Sequence, residues 1–206
     1  MVWDELSRRA DEENARARDK WIGVYIGVLA VILAICSMGG GNASKEATLK
    51  NIEATNTWGF FQAKNMRRHV LRLAIDELEI RQAGMKLPPD LQAVTKPSEE
   101  QALIESKLMS YREQEAGLTS NKATNEGLDE LWARGKALEA ERDFAMRQDP
   151  YFDYGEALLQ IAIVLGGVAI ISGGSLLLTT SAIMGLLGTL FTLNGFTLLL
   201  NIPFIG

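Results

Sequence analysis

His69 is the chain's only histidine, and it closes the segment "NTWGFFQAKNMRRH", residues 56–69, which also holds Trp58, Phe60 and Phe61. Histidine is the side chain best suited to acid–base work and metal ligation near neutral pH. A di-iron helical bundle takes two Glu-x-x-His motifs, and a single histidine cannot supply them. The carboxylates, as in "AIDELEI" and "ALEAERD", recur at helix-surface intervals with Lys and Arg among them. That is the pattern of solvated faces joined by i,i+4 pairs. The sole cysteine, Cys36, lies in an uncharged apolar run where a thiolate is disfavoured. There is no glycine-rich phosphate loop and no Ser/His/Asp set with a structural context. The sequence therefore predicts no catalytic residue, no metal site, no cofactor and no small-molecule substrate. A net charge of −5, with no basic cluster longer than "MRRH", argues against a nucleic-acid partner.

Helical spacing gives the same segment another reading. At 100° per residue, Ile52, Asn56, Gly59, Ala63, Met66 and Val70 fall on one stripe. Trp58, Gln62, Asn65 and His69 fall on a second, and Phe61 points nearly opposite the first. A helix with two occupied faces has two neighbours. The first stripe is expected to meet a returning helix of the same chain. The set Trp58, Phe61, Gln62, Asn65 and His69 is expected to meet a subunit or partner, with packing inside one three-helix bundle as the alternative and a ligand site as a third.

The elements that must carry these residues are set by hydropathy. Residues 21–38, "WIGVYIGVLAVILAICSM", are uncharged, and no Asp, Glu, Lys or Arg occurs from Ala157 to Gly206. About 20 apolar residues cross a hydrocarbon core as a helix, so membrane lipids are expected neighbours. The charged residues before the first run make it a retained span rather than a secretory signal. The expected division is a charged leader (1–20), a first transmembrane helix (21–41), an extramembrane helical hairpin or coiled-coil domain (42–153), and two further spans (154–171 and 176–202) joined at "SGGS". The fold class expected is an all-α membrane protein with three spans.

Within the middle domain, the spacing predicts one helix over 44–82 and a break at "GMKLPPDLQAVTKP". A second helix is expected from Ser98, where Ser98 and Gln101 form a capping-box pattern, to about Gly117. A third is expected over 121–148, with Leu128, Leu131, Gly135, Leu138 and Ala145 on one side and a stop at Asp149-Pro150. "GGGN" after the first span is expected to end that helix. Candidate packing positions within the membrane are Gly23 and Gly27, then Ser181, Gly185, Gly188, Thr192 and Asn194. Basic residues in the leader favour a cytoplasmic N-terminus, which places the middle domain in the periplasm of a bacterial inner membrane.

The phrases "NIEATNTWGFFQAKNMRRHV" and "LEAERDFAMRQDPYFDYGEALLQIAIVLGGVAI", with a closing hairpin that contains "LNGF", resemble an uncharacterised bacterial membrane family, domain of unknown function 4337. The resemblance implies no catalytic residues. It implies a basic, cytoplasmic turn between spans two and three, where this chain has the neutral SGGS. By elimination the expected function is that of a non-catalytic structural or assembly protein that forms a homo-oligomer. The alternatives are an accessory subunit of a larger respiratory, photosynthetic or transport complex, and an oligomeric channel.

Overall fold

The computed structural model describes residues 2–85 and 98–202, with side chains at Glu13 and from Arg16 onward. Four helices are present among the described residues: α1 (Val2–Gly84), α2 (Glu99–Thr119), α3 (Leu128–Ser172) and α4 (Ser175–Thr197). Stretches of α1, α3 and α4 are long and apolar enough to cross a membrane. The chain divides into two compact units, Met1–Leu49 with Glu141–Gly206, and Lys50–Ala140.

Two expected helix ends do not occur. The first is at "GGGN", where α1 continues without interruption from the apolar run into the following segment. A Cβ on Gly39 would lie 2.6 Å from the Phe152 ring and 2.9 Å from Phe196, and one on Gly40 would lie 3.0 Å from Phe152 Cβ. These glycines serve close packing, and the burial they permit outweighs glycine's intrinsic cost of about 1 kcal/mol in a helix. The second is at Asp149-Pro150, where α3 runs on to Ser172. Proline removes one i→i−4 bond, but Tyr151 and Phe152 directly after it are fully buried, and that packing holds the helix together.

The start of the third helix also differs: residues 121–127, expected as its first turns, form a turn held by Glu130, and α3 begins at Leu128. The remaining boundaries match the spacing. Ser98 and Gln101 form a reciprocal capping box at the start of α2. Gly173, with φ of +66°, makes the reversal between α3 and α4, a backbone conformation that glycine adopts without strain. The break expected over the paired prolines lies outside the described residues.

In the first unit, α1 contributes Ile22, Leu29, Cys36 and Ala43 to the interior, a strict seven-residue repeat. Leu29, Cys36 and Ala43 join Phe152, Leu159 and Ala162 of α3 in one core. From α4 come Ser181, Gly185, Gly188, Thr192, Asn194 and Gly195, all buried. In the second unit, Ile75 of α1 packs with Ile104 and Leu108 of α2, flanked by Leu78, Met85 and Tyr111. The expected apolar side of the third helix is buried at Leu128, Leu131 and Leu138 in this unit.

Candidate functional site

The Trp58 cluster lies wholly in the second unit. α1 brings Trp58 and Phe61 one turn apart with ring centroids at 5.6 Å, and α3 sets Trp132 at 5.1 Å from Trp58 and 5.9 Å from Phe61. Gly135, one turn after Trp132, makes room for the indole, since a Cβ there would lie 2.9 Å from the Trp58 ring. The indole nitrogen donates to the Glu139 carboxylate at 2.9 Å. Lys136 bonds the same carboxylate at 2.8 Å and sits over both tryptophan rings. A tryptophan tip that finds a polar partner while its body is packed is a satisfied structural side chain.

Of the five residues in the candidate set, the structure thus brings Trp58 and Phe61 together against α3 of the same chain. Asn65 is half-buried and accepts a hydrogen bond from Arg68 at 2.9 Å. Gln62 and His69 are exposed and take no part in the cluster. The partners missed from the sequence are Trp132, Lys136 and Glu139. Gly135 carried the available signal, since a glycine within an otherwise leucine-rich stripe marks the place where a large ring from another helix fits.

The packing side of α1 differs from the expected one. The stripe expected to meet a returning helix is exposed along its length, including Ile52, Met66 and Val70, and so are Leu73 and Ile80, which continue its seven-residue spacing. The side that packs within the chain carries Ala54, Thr57, Trp58, Phe61, Leu71, Ile75 and Leu78. Ion pairs reinforce this side. Lys64 bonds Glu126, Arg72 reaches Glu115 at 2.5 Å, and Arg112 reaches Glu79 at 2.7 Å.

The turn between α2 and α3 is held by Glu130, which accepts from the Ser120 hydroxyl at 2.6 Å and the Asn121 amide at 3.1 Å. The Ser120 hydroxyl, then the Asn121 amide, holds this carboxyl below the usual carboxylate range. Hydrogen bonds to the charged form have this effect. The contribution is present above the unfolded pKa and is lost as pH falls through the lowered folded value. Glu130→Ala should therefore speed hydrogen exchange at the Asn121 amide at neutral pH. On acidification of the parent chain the protection of that amide, taken relative to its intrinsic exchange rate at each pH, should fall likewise, and unchanged protection in both would contradict this role.

In the first unit, the candidate packing residues divide. Gly23 and Gly27 have no neighbour within 4 Å of where a side chain would start. Gly188 and Gly155 bring α4 and α3 into backbone contact, because a Cβ on Gly188 would lie 3.0 Å from the Gly155 carbonyl and 2.8 Å from Leu159. Ser181 donates to the Ala162 carbonyl at 2.6 Å, and the Tyr25 hydroxyl of α1 donates to the Ser181 carbonyl at 2.9 Å. Thr192 bonds back to the Gly188 carbonyl at 2.8 Å. Asn194 exchanges two hydrogen bonds with Leu200, each at 2.8 Å, and closes the chain after α4. Arg18 donates to the Gly173 carbonyl at 3.3 Å, which ties the basic end of α1 to the reversal between α3 and α4.

Among the described residues no group of three or more His, Cys, Asp or Glu side chains is arranged to hold a metal ion. What the arrangement defines is an all-helical protein with three helices able to cross a membrane and a second, more polar helical unit. The family description "Domain of unknown function (DUF4337)" matches residues 18–198. The chain belongs to this family. No curated protein and no solved structure matches it.

Proposed function

We propose that the chain is a non-catalytic structural protein of a bacterial inner membrane that assembles with copies of itself. The observation that carries this reading is the row of large apolar side chains left exposed on α1 in the Lys50–Ala140 unit, among them Met66 at 67 %, Leu73 at 70 % and Ile80 at 74 %. Large apolar side chains left exposed in a row along one helix mark a candidate interaction surface. The three apolar helices are its spans, and the Lys50–Ala140 unit is its extramembrane helical hairpin domain. The leader is cytoplasmic under the positive-inside rule, and the hairpin domain is periplasmic. The Arg18 bond to Gly173 supports this topology, because it supplies a basic residue at the reversal that lacks one of its own.

Extraction from native membranes in mild detergent, with every co-migrating polypeptide identified, tests the reading. A particle that contains only this chain in a fixed multiple is the expected result. A stoichiometric foreign protein would overturn self-assembly in favour of an accessory subunit in a larger complex.

A further inference from the structure

The exposed stripe has a register as well as an apolar character. Ile52, Gly59, Met66, Leu73 and Ile80 recur every seven residues, and Asn56, Ala63, Val70 and Glu77 alternate with them at steps of four and three. These are the d and a series of a heptad repeat. All nine are exposed. The f positions of the same register, on the opposite side of the helix, are Ala54, Phe61, Arg68, Ile75 and Gln82, and each is buried or half-buried. So α1 spends that side on its own chain and, among the described residues, leaves its a/d seam without a neighbour.

We propose that this seam is a docking site for a second copy of the chain, which pairs through α1 as a parallel two-stranded coiled coil over residues 52–81. The inference rests on the self-assembly reading and names its surface, partner and geometry. The charges that flank the seam favour a second copy. Asp76 at g and Arg81 at e are both exposed, and a parallel pair sets the g residue of one strand against the e residue five positions later in the other. Symmetry makes this Asp76–Arg81 pair twice. A lipid surface is the poorer occupant, because a helix that lies on anionic lipid carries Lys and Arg along its polar flank. Here Glu53 and Asp76 alternate with Arg67 and Arg81.

The seam residues also favour two parallel strands. A single Asn at an a position sets register and strand number when it meets its own counterpart, as Asn56 does here, and Val70 at a with Leu73 at d is the two-stranded combination. Glu77 interrupts the a series, and Arg81 four residues later is placed to offset its charge. Gly59 and Ala63 permit close approach but bury little, so the strength lies in Met66–Ile80. Copies inserted in one bilayer with the same topology carry α1 in the same direction, and the bilayer raises their effective concentration.

Single-cysteine variants of the full chain in native membranes test the proposal. The parent chain's Cys36 is buried and serves as the background control. Under a mild oxidant, Leu73→Cys should give a disulfide-linked dimer, whereas Met109→Cys, exposed on α2 and off the seam, should stay monomeric. Ile52→Cys and Ile80→Cys should each link to themselves. Linkage only when those two variants are mixed would overturn the parallel geometry. Asp76→Arg should lower the linked fraction of Leu73→Cys roughly fivefold, and Arg81→Asp added to it should restore linkage. No linkage at Leu73→Cys in a particle made only of this chain would overturn the seam and leave self-assembly standing. A single-chain particle, or one with a foreign partner, would overturn both.

Discussion

Gly188→Leu should destabilise the unit that packs the three apolar helices by about 3 kcal/mol or more, near the upper end of overpacking costs. The Cβ of any larger residue at 188 would lie 2.8 Å from Leu159 Cγ and 3.0 Å from both the Gly155 carbonyl oxygen and the Leu159 amide nitrogen. Two of these three atoms are backbone, so no rotamer change relieves the contact. α4 must move away from α3, which breaks the Ser181 bond to Ala162 and the Tyr25 bond to Ser181. Close approach is also what drives association of helices in lipid, where apolar burial contributes little. Gly27→Leu provides the contrast, because nothing lies within 4 Å of the added side chain. Thermal unfolding in detergent should separate the two variants clearly. Equal stability would contradict the α3–α4 contact, and a Gly27→Leu variant of normal stability that loses its partner copy would assign Gly27 to an intermolecular face.

Trp58→Ala should cost about 3 kcal/mol in the Lys50–Ala140 unit, at the low end for loss of a large aromatic because the ring is only half-buried. The substitution leaves the Gly135 cleft empty and removes the bond to Glu139. It also takes away the edge-to-face contacts with Phe61 and Trp132. Hydrogen exchange across 50–65 and 128–140 should rise together. Gly135→Leu alone should also destabilise, since its Cβ would press on the indole at 2.9 Å. The two changes combined should cost less than their sum, because the leucine enters the space the indole vacates, and contacting residues couple in this way. Additive losses would show that the two positions do not meet. The number of chains per particle should be unchanged by Trp58→Ala, because this face is satisfied inside one chain.

Much of the helical content was legible because it rests on local chemistry. Ser98 and Gln101 announce a helix start, the glycine pair at 173–174 announces a reversal, and Leu128, Leu131, Gly135 and Leu138 mark a buried side. The misread ends share a cause. Gly39, Gly40 and Pro150 are helix breakers by local preference, and only the distant Phe152 and Phe196 rings or the buried Tyr151–Phe152 pair override them. The misread packing side of α1 has a different origin. Periodicity shows that a helix has an apolar side, but the partner that covers it is a property of the other helices. The heptad stripe is the more regular of the two, and the structure leaves it exposed. The less regular face is the one whose aromatic and charged residues match α2 and α3. For the candidate site, residue types marked Trp58 and Phe61 as contact residues, expected against a subunit or partner, whereas the structure packs them against Trp132 of the same chain. The identity of their neighbours required Trp132 and Gly135 to be placed in space.

The central claim is that the chain satisfies its Trp58 face internally and uses the α1 heptad seam to meet a second copy. The most direct test is the native mass of the protein particle, extracted in mild detergent and corrected for bound detergent, for the parent chain and for Asp76→Arg. The account predicts twice the chain mass of 22.6 kDa for the parent and a shift toward a single chain for the variant. A parent particle of one chain mass, or one that holds its mass only through a foreign polypeptide, would contradict it.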